Sequence, residues 1–209
     1  PLIEKAASTG KPLIISTGMA KLAELEQAVD TAREAGCEQL VLLKCTSTYP
    51  ATPQNTNLAT IPHLRQLFGT EVGLSDHTMG LGVAVASVAL GASVIEKHFT
   101  LARADGGVDS AFSLEPQELE ALVVETERAW QAIGSVMYGP TDAEKGSIVF
   151  RRSIYAAENI EEGEVFTHKN IRIVRPGGGA PPHLYTHLIG RKSHQSYKLG
   201  TPLSLDALL

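Results

Sequence analysis

Two histidines, His77 and His98, are 21 residues apart, and each directly follows a short apolar run. That separation is the length of one strand–helix step. If the two runs are adjacent parallel strands, about 4.8 Å apart, both imidazoles reach the same point at the strand ends. Two imidazoles with the other positions left to oxygen ligands suit an open divalent-cation site, and Mn²⁺ fits such a Lewis-acid role. Two hydrogen-bonding histidines lining a polar mouth would give the same spacing. Asp76 and Glu96 stand beside them. They could accept an imidazole N–H or a substrate hydroxyl, or pair with Lys44 and Lys97 across neighbouring strands. The loop Arg103-Ala-Asp-Gly-Gly-Val-Asp109-Ser follows the His98 strand. Its glycines allow close backbone approach, and Asp109 could accept a hydroxyl; a charged surface loop is the competing account. Ser16 and Lys44, at two other strand ends, could bind anionic oxygens. His183 and His187 have the four-residue spacing of a helical metal pair, but the prolines at 181 and 182 and the lack of a third ligand favour surface histidines.

The elements that must position these groups are strands and helices in alternation. Leu13–Ser16, Leu40–Lys44, Val72–Ser75 and Ser93–Lys97 are apolar runs of strand length. Each is followed by a helix-period segment. Lys21–Ala35 aligns Leu22, Leu25, Val29 and Ala32, and Gly36 ends it. Leu58–Phe68 repeats the pattern if Pro62 falls in the first turn. Leu81–Leu90 is apolar nearly all round and reads as buried. Pro116–Ile133 opens on a proline suited to a first turn and aligns Leu119, Leu122, Val123, Trp130 and Ile133 for an inward face.

Repeated strand–helix units without hairpin signals predict a parallel sheet with right-handed crossovers. No Gly-rich dinucleotide fingerprint follows an early strand. Polar groups close every strand instead, which is how (β/α)8 barrels build their sites. Four units make half a barrel. Either an upstream half completes it, the expectation that the absent initiator Met also favours, or two copies pair. Residues 1–135 are thus expected to be a half TIM barrel and 136–150 a linker. Residues 151–209 are expected to form a small β-rich domain with strands at Ser153–Ala157, Ile171–Val174 and near Leu199–Leu203, and with an irregular loop from Arg175 to Pro182.

Composition excludes several function classes. Hydrophobic residues make up 43% of the 209 and charged residues 20%, an ordinary globular balance. The net charge of −5 divides unevenly: residues 1–150 carry 10 basic against 18 acidic side chains, and residues 151–209 carry 8 against 5. An acidic main body argues against nucleic-acid binding. No apolar run is long enough to span a bilayer, and the opening residues Pro1–Ala6 lack the basic start and apolar stretch expected of a signal peptide. Cys37 and Cys45 form no metal or disulfide framework, so a reduced cytoplasm is the expected compartment.

The run Val72-Gly-Leu-Ser-Asp-His-Thr78, followed by Val94-Ile-Glu-Lys-His-Phe-Thr100, resembles the paired signature of N-acetylneuraminate synthases and their relatives. Leu43-Lys-Cys-Thr-Ser-Thr-Tyr-Pro50 is similar to that family's Tyr-Pro loop, and Ser16-Thr-Gly-Met19 to an earlier strand end. The tail from Arg152 through Asn170 to Arg175-Pro-Gly resembles the antifreeze-like (SAF) domain, a β-clip. The segment Leu101–Pro116 is more similar to the pseudaminate branch than to neuraminate synthases, which tend to have Pro-Gly-Pro-Asp there. The resemblance implies that phosphoenolpyruvate condenses with a 2,4-diacetamido-trideoxy-altrose-type sugar to give pseudaminic acid and phosphate. Sialic or legionaminic acid synthesis, and a non-catalytic carbohydrate-binding module, are the alternatives. It implies that His77 and His98 hold Mn²⁺, with Mg²⁺ or Co²⁺ as substitutes. Ser16 and Ser75 would line the phosphoenolpyruvate pocket, Tyr49 and Asp109 would contact the sugar, and Arg175 would reach the partner's site in a domain-swapped homodimer. Phe150 is the candidate for the family's linker aromatic. The family's catalytic glutamate and phosphoenolpyruvate-binding lysines belong to a first barrel half that these residues do not include.

Overall fold

The computed structural model describes residues 1–204 and divides into two compact units, Pro1–Ser135 and Val136–Leu209. The first unit runs α1 (Leu2–Ala7), β1 (Leu13–Ser16), α2 (Leu22–Glu34), β2 (Leu40–Cys45), α3 (Thr60–Phe68), β3 (Glu71–Asp76), α4 (Gly82–Ala89), β4 (Val94–Lys97) and α5 (Pro116–Ile133). The short α1 had no signal in the sequence pattern. The four strands form one parallel sheet in the order β1-β2-β3-β4, so each crossover advances by one strand in the same direction.

Alternation along the strands gives the sheet two unlike faces. Leu40, Leu42, Val72 and Leu74 face the helices and bury against Val29, Ala32, Ile61, Leu64 and Ala84. On the other face the β2–β3 pairing sets Leu43 opposite Gly73 and Cys45 opposite Ser75. Gly73 is required there. A Cβ at that position would lie 2.2 Å from the Val94 carbonyl oxygen and 2.6 Å from Leu43 Cδ2. At the edge of this face, Ile14 of β1 is 53% exposed.

Local chemistry sets the helix ends. Pro62 is the third residue of α3, inside the first turn where its missing N–H costs nothing. Gly69 ends that helix in the left-handed conformation, φ 61°. Glu115 caps α5 through a reciprocal pair with Glu118, and Pro116 occupies the first helical position. The inward face expected for α5 is only partly inward. Leu122 is buried, whereas Val123, Ile133 and Trp130, the last 68% exposed, are not. Length explains the exposure of Trp130 and Ile133, though not that of Val123, the eighth residue of the helix. At 1.5 Å per residue the 18-residue α5 runs well past its 8-residue neighbour α4, so its later turns have nothing in this unit to cover them. Leu22, expected on the buried face of α2, is exposed at that helix's first turn.

The second unit pairs β5 (Ser153–Ala156) antiparallel with β6 (Ile171–Val174), with α6 (Tyr185–Leu188) nearby in sequence after the Arg175 loop. Its core is Ile154, Ile160, Phe166, Ile171, Leu188, Tyr197 and Leu203. The strand expected near Leu199–Leu203 is a single bridge, Tyr155 to Pro202, extended by Leu203 N–H donating to Ile154 O at 2.9 Å. The linker is less irregular than its composition suggests, because Asp142–Phe150 forms a 3-10 stretch with every residue exposed. Among the described residues no helix is long and apolar enough to cross a membrane. Cys37 and Cys45 are unpaired thiols.

Candidate active site

The 21-residue spacing of the histidines is the register of the sheet. In the β3–β4 ladder, Ser75 lies opposite Glu96 and Asp76 opposite Lys97. One step further sets His77 opposite His98, with ring centroids 5.1 Å apart. His77 is 6% exposed, and its Nδ1 lies 2.9 Å from the Thr46 carbonyl oxygen. A carbonyl only accepts, so Nδ1 carries the proton and Nε2 keeps its lone pair. His98 Nδ1 lies 3.6 Å from Asp109 Oδ2. That is too long for a hydrogen bond. Of the two rings, His77 is held through Nδ1 by the Thr46 carbonyl, which leaves Nε2 as its other ring nitrogen. Among the described residues no group of three or more His, Cys, Asp or Glu is arranged to hold a metal ion. The fit is that of two orientated imidazoles with the remaining positions left to water and oxygen donors.

Aromatic rings wall the pair. Tyr49, from the loop after β2, lies 4.3 Å from His77 and 6.0 Å from His98 between centroids. Phe112, 7% exposed, lies 5.0 Å from His98 and 6.2 Å from Tyr49. Sequence reasoning missed Phe112 and Thr46. Phe112 sits in a loop with no periodicity to mark it, and Thr46 acts through its backbone.

The loop carrying Asp109 and Phe112 closes on itself. Leu114 N–H donates to the His98 carbonyl at 2.8 Å, and Thr100 N–H donates to Leu114 O at 2.9 Å. Arg103 clamps it to the start of α5. Its guanidinium donates to both Glu118 carboxylate oxygens and, at 3.0 Å, to the Ser113 carbonyl. The hydrogen bond from Arg103 holds the Glu118 carboxyl below the usual carboxylate range, and that bond raises the guanidinium's own value.

The other expected residues sort by face. Ser75 Oγ donates to Glu96 Oε1 at 2.6 Å, so it must turn from Glu96 before it can donate to an anion. Ser16 is exposed at the end of β1, opposite Leu43. Ser47, not singled out in the sequence, lies close to that strand end: a Cβ on Gly18 would sit 2.1 Å from its Oγ. Lys44 is turned back on its own chain, donating to Cys45 O at 2.7 Å and Thr46 Oγ1 at 3.1 Å. Burial lowers its pKa from the ordinary lysine value. Asp76 pairs with Lys97 at 2.8 Å, on the opposite side of the ladder from Ser75 and Glu96. Arg175 and Phe150 are exposed residues of the second unit, as are His183 and His187.

The NeuB family model matches residues 1–138, and the SAF domain model matches residues 151–209. The chain belongs to the NeuB family. Relatives of this NeuB-family chain include an uncharacterized protein of Methanocaldococcus jannaschii, 42% identical over 92% of the chain. A pseudaminic acid synthase of Campylobacter jejuni is 41% identical over 94%. In both cases the chain spans 57% of the relative's own length. The solved N-acetylneuraminic acid synthetase from Leptospira borgpetersenii aligns with a TM-score of 0.65 at 37% identity, covering 72% of this chain and 52% of that one.

Proposed function

We propose that the chain is the metal-bearing part of a phosphoenolpyruvate-dependent sugar-acid synthase that acts on a 2,4-diacetamido-trideoxy-altrose-type sugar to give pseudaminic acid and phosphate. The observation that carries this reading is the pair His77 and His98, brought side by side with ring centroids 5.1 Å apart and with His77 Nδ1 held by the Thr46 carbonyl. Relatives named pseudaminic acid synthase, between 38% and 41% identical over most of the chain, support the sugar class. A legionaminic acid synthase is the second reading, favoured by a Campylobacter jejuni relative of that name at 38% identity over 95% of the chain.

A divalent cation, Mn²⁺ first and Mg²⁺ or Co²⁺ as substitutes, would supply Lewis-acid polarisation of the open-chain sugar's aldehyde. His77 and His98 would hold it. The reaction joins C3 of phosphoenolpyruvate to the aldehyde carbon, adds water at C2 and releases phosphate by C–O cleavage. Ser16 and Ser75 would donate to the anionic oxygens of phosphoenolpyruvate. Asp109 would accept a sugar hydroxyl while steadying His98, and Tyr49 and Phe112 would wall the site from water and strengthen each polar contact inside it. Arg175 from the partner of a domain-swapped homodimer would hold an acetamido oxygen of the sugar. Phosphoenolpyruvate as co-substrate points to the cytoplasm.

The test is phosphate release from phosphoenolpyruvate by the intact protein with Mn²⁺, with and without a 2,4-diacetamido sugar or N-acetylmannosamine. The reading expects release that requires the sugar and is faster with the diacetamido compound. Sugar binding without any phosphate release would overturn it and leave a carbohydrate-binding module.

A further inference from the structure

Behind the two histidines lies a buried ion pair that touches neither ring. The side chains of Lys97 and Asp76 are 3% and 0% exposed and meet at 2.8 Å. Each is the immediate chain neighbour of a histidine, Asp76 before His77 and Lys97 before His98. The pair also holds the residue on the far side of His77. Asp76 Oδ1 accepts the Thr78 N–H at 2.9 Å, and Lys97 Nζ donates to the Thr78 carbonyl at 2.5 Å. His77 is thus pinned on both sides, and the same lysine ties β4, and so His98, to that point.

Stability alone is a poor account of such a pair. Taking two charges out of water is costly, and a buried ion pair exchanged for apolar residues of similar volume is often neutral or stabilising. What an apolar pair would not reproduce is the directed contact to Thr78. We infer that Asp76 and Lys97 are positioning residues, a strut across β3 and β4 that fixes the separation of the two imidazoles and thereby sets metal affinity. This rests on the proposed metal role of His77 and His98.

The test measures Mn²⁺ affinity, by titration with the metal alone, and the thermal midpoint of the intact protein. Both are read for the wild type, the double variant Asp76→Leu/Lys97→Met, the conservative Lys97→Arg, and His77→Ala. The strut predicts that the double variant keeps a cooperative transition near the wild-type midpoint but binds Mn²⁺ roughly tenfold or more weakly, the scale of losing an outer positioning partner. It predicts that Lys97→Arg, which keeps the pair, recovers most of that affinity. A double variant that binds like wild type overturns the inference. So does one that fails to fold, which would assign the pair to stability, and so does an arginine variant as weak as the double. Failure of the metal reading is distinguishable: the wild type would bind no better than His77→Ala.

Discussion

His77 shows how a single backbone carbonyl sets a side chain's chemistry. The Thr46 oxygen can only accept, so Nδ1 is the donor, and Nε2 is the nitrogen that the proposed metal site would use. Phe112 acts by shape. It is nearly buried against His98 and Tyr49, so Phe112→Ala should cost about 3 kcal/mol of stability, as loss of a core aromatic does, with a raised KM for the sugar. Urea denaturation and steady-state kinetics check this, and an unchanged midpoint would mean the ring packs on nothing that matters. The histidines were legible in the sequence because 21 residues is one strand–helix repeat and parallel register converts that repeat into proximity. Phe112 was not legible, because a lone aromatic fourteen residues beyond His98 obeys no period. The partners of Asp76 and Glu96 were only half legible. Cross-strand pairing with Lys97 was foreseen as one account, whereas the bond from Ser75 to Glu96 depends on which face each residue takes.

The loop between β4 and α5 is held by charge as well as by backbone pairing. The Glu118 carboxyl is depressed by Arg103, so the clamp's contribution is complete above the ordinary glutamate range and lost as pH falls through the folded value. Protection against hydrogen exchange at Phe112 and Ser113, measured against the intrinsic rate at each pH, should therefore fall under acid before the sheet itself opens. Glu118→Gln should show that reduced protection already at neutral pH. Lys44 has a linkage of the same sign but a different cause. Burial lowers its pKa, so the folded state binds fewer protons there than the unfolded chain, and stability rises as pH climbs from the folded value towards the ordinary lysine value. Lys44→Met should flatten that rise in pH-dependent denaturation. In the sheet, Gly73→Ala should cost at least about 2 kcal/mol, since the added Cβ meets the rigid Val94 carbonyl. Strand positions were legible to within a residue or two because both faces are apolar or chemically marked. The outward turn of Trp130 was not, since helical period says which residues share a face and not whether a neighbour lies against it.

Across the whole molecule, the NeuB-matching residues 1–138 and the SAF-matching residues 151–209 largely follow the two compact units. The sequence changes texture after Gly134. The acidic first part and basic second part are as the sequence reads, and neither charge alone identified a ligand. Trp130, the single tryptophan, reports on the uncovered part of α5. In the 209-residue chain its emission should be that of a water-exposed indole, readily quenched by acrylamide. A blue-shifted, protected emission would show that face to be covered.

The central claim is the two-imidazole metal site, and Mn²⁺ titration followed by the loss of the free-ion paramagnetic resonance signal tests it most directly. One ion should bind per chain, with affinity falling by roughly a hundredfold or more in both His77→Ala and His98→Ala while the thermal midpoint stays close to wild type, since each change removes a ligand outright. Equal Mn²⁺ affinity in the wild type and the two alanine variants would contradict the site and leave the histidines as lining of a polar mouth.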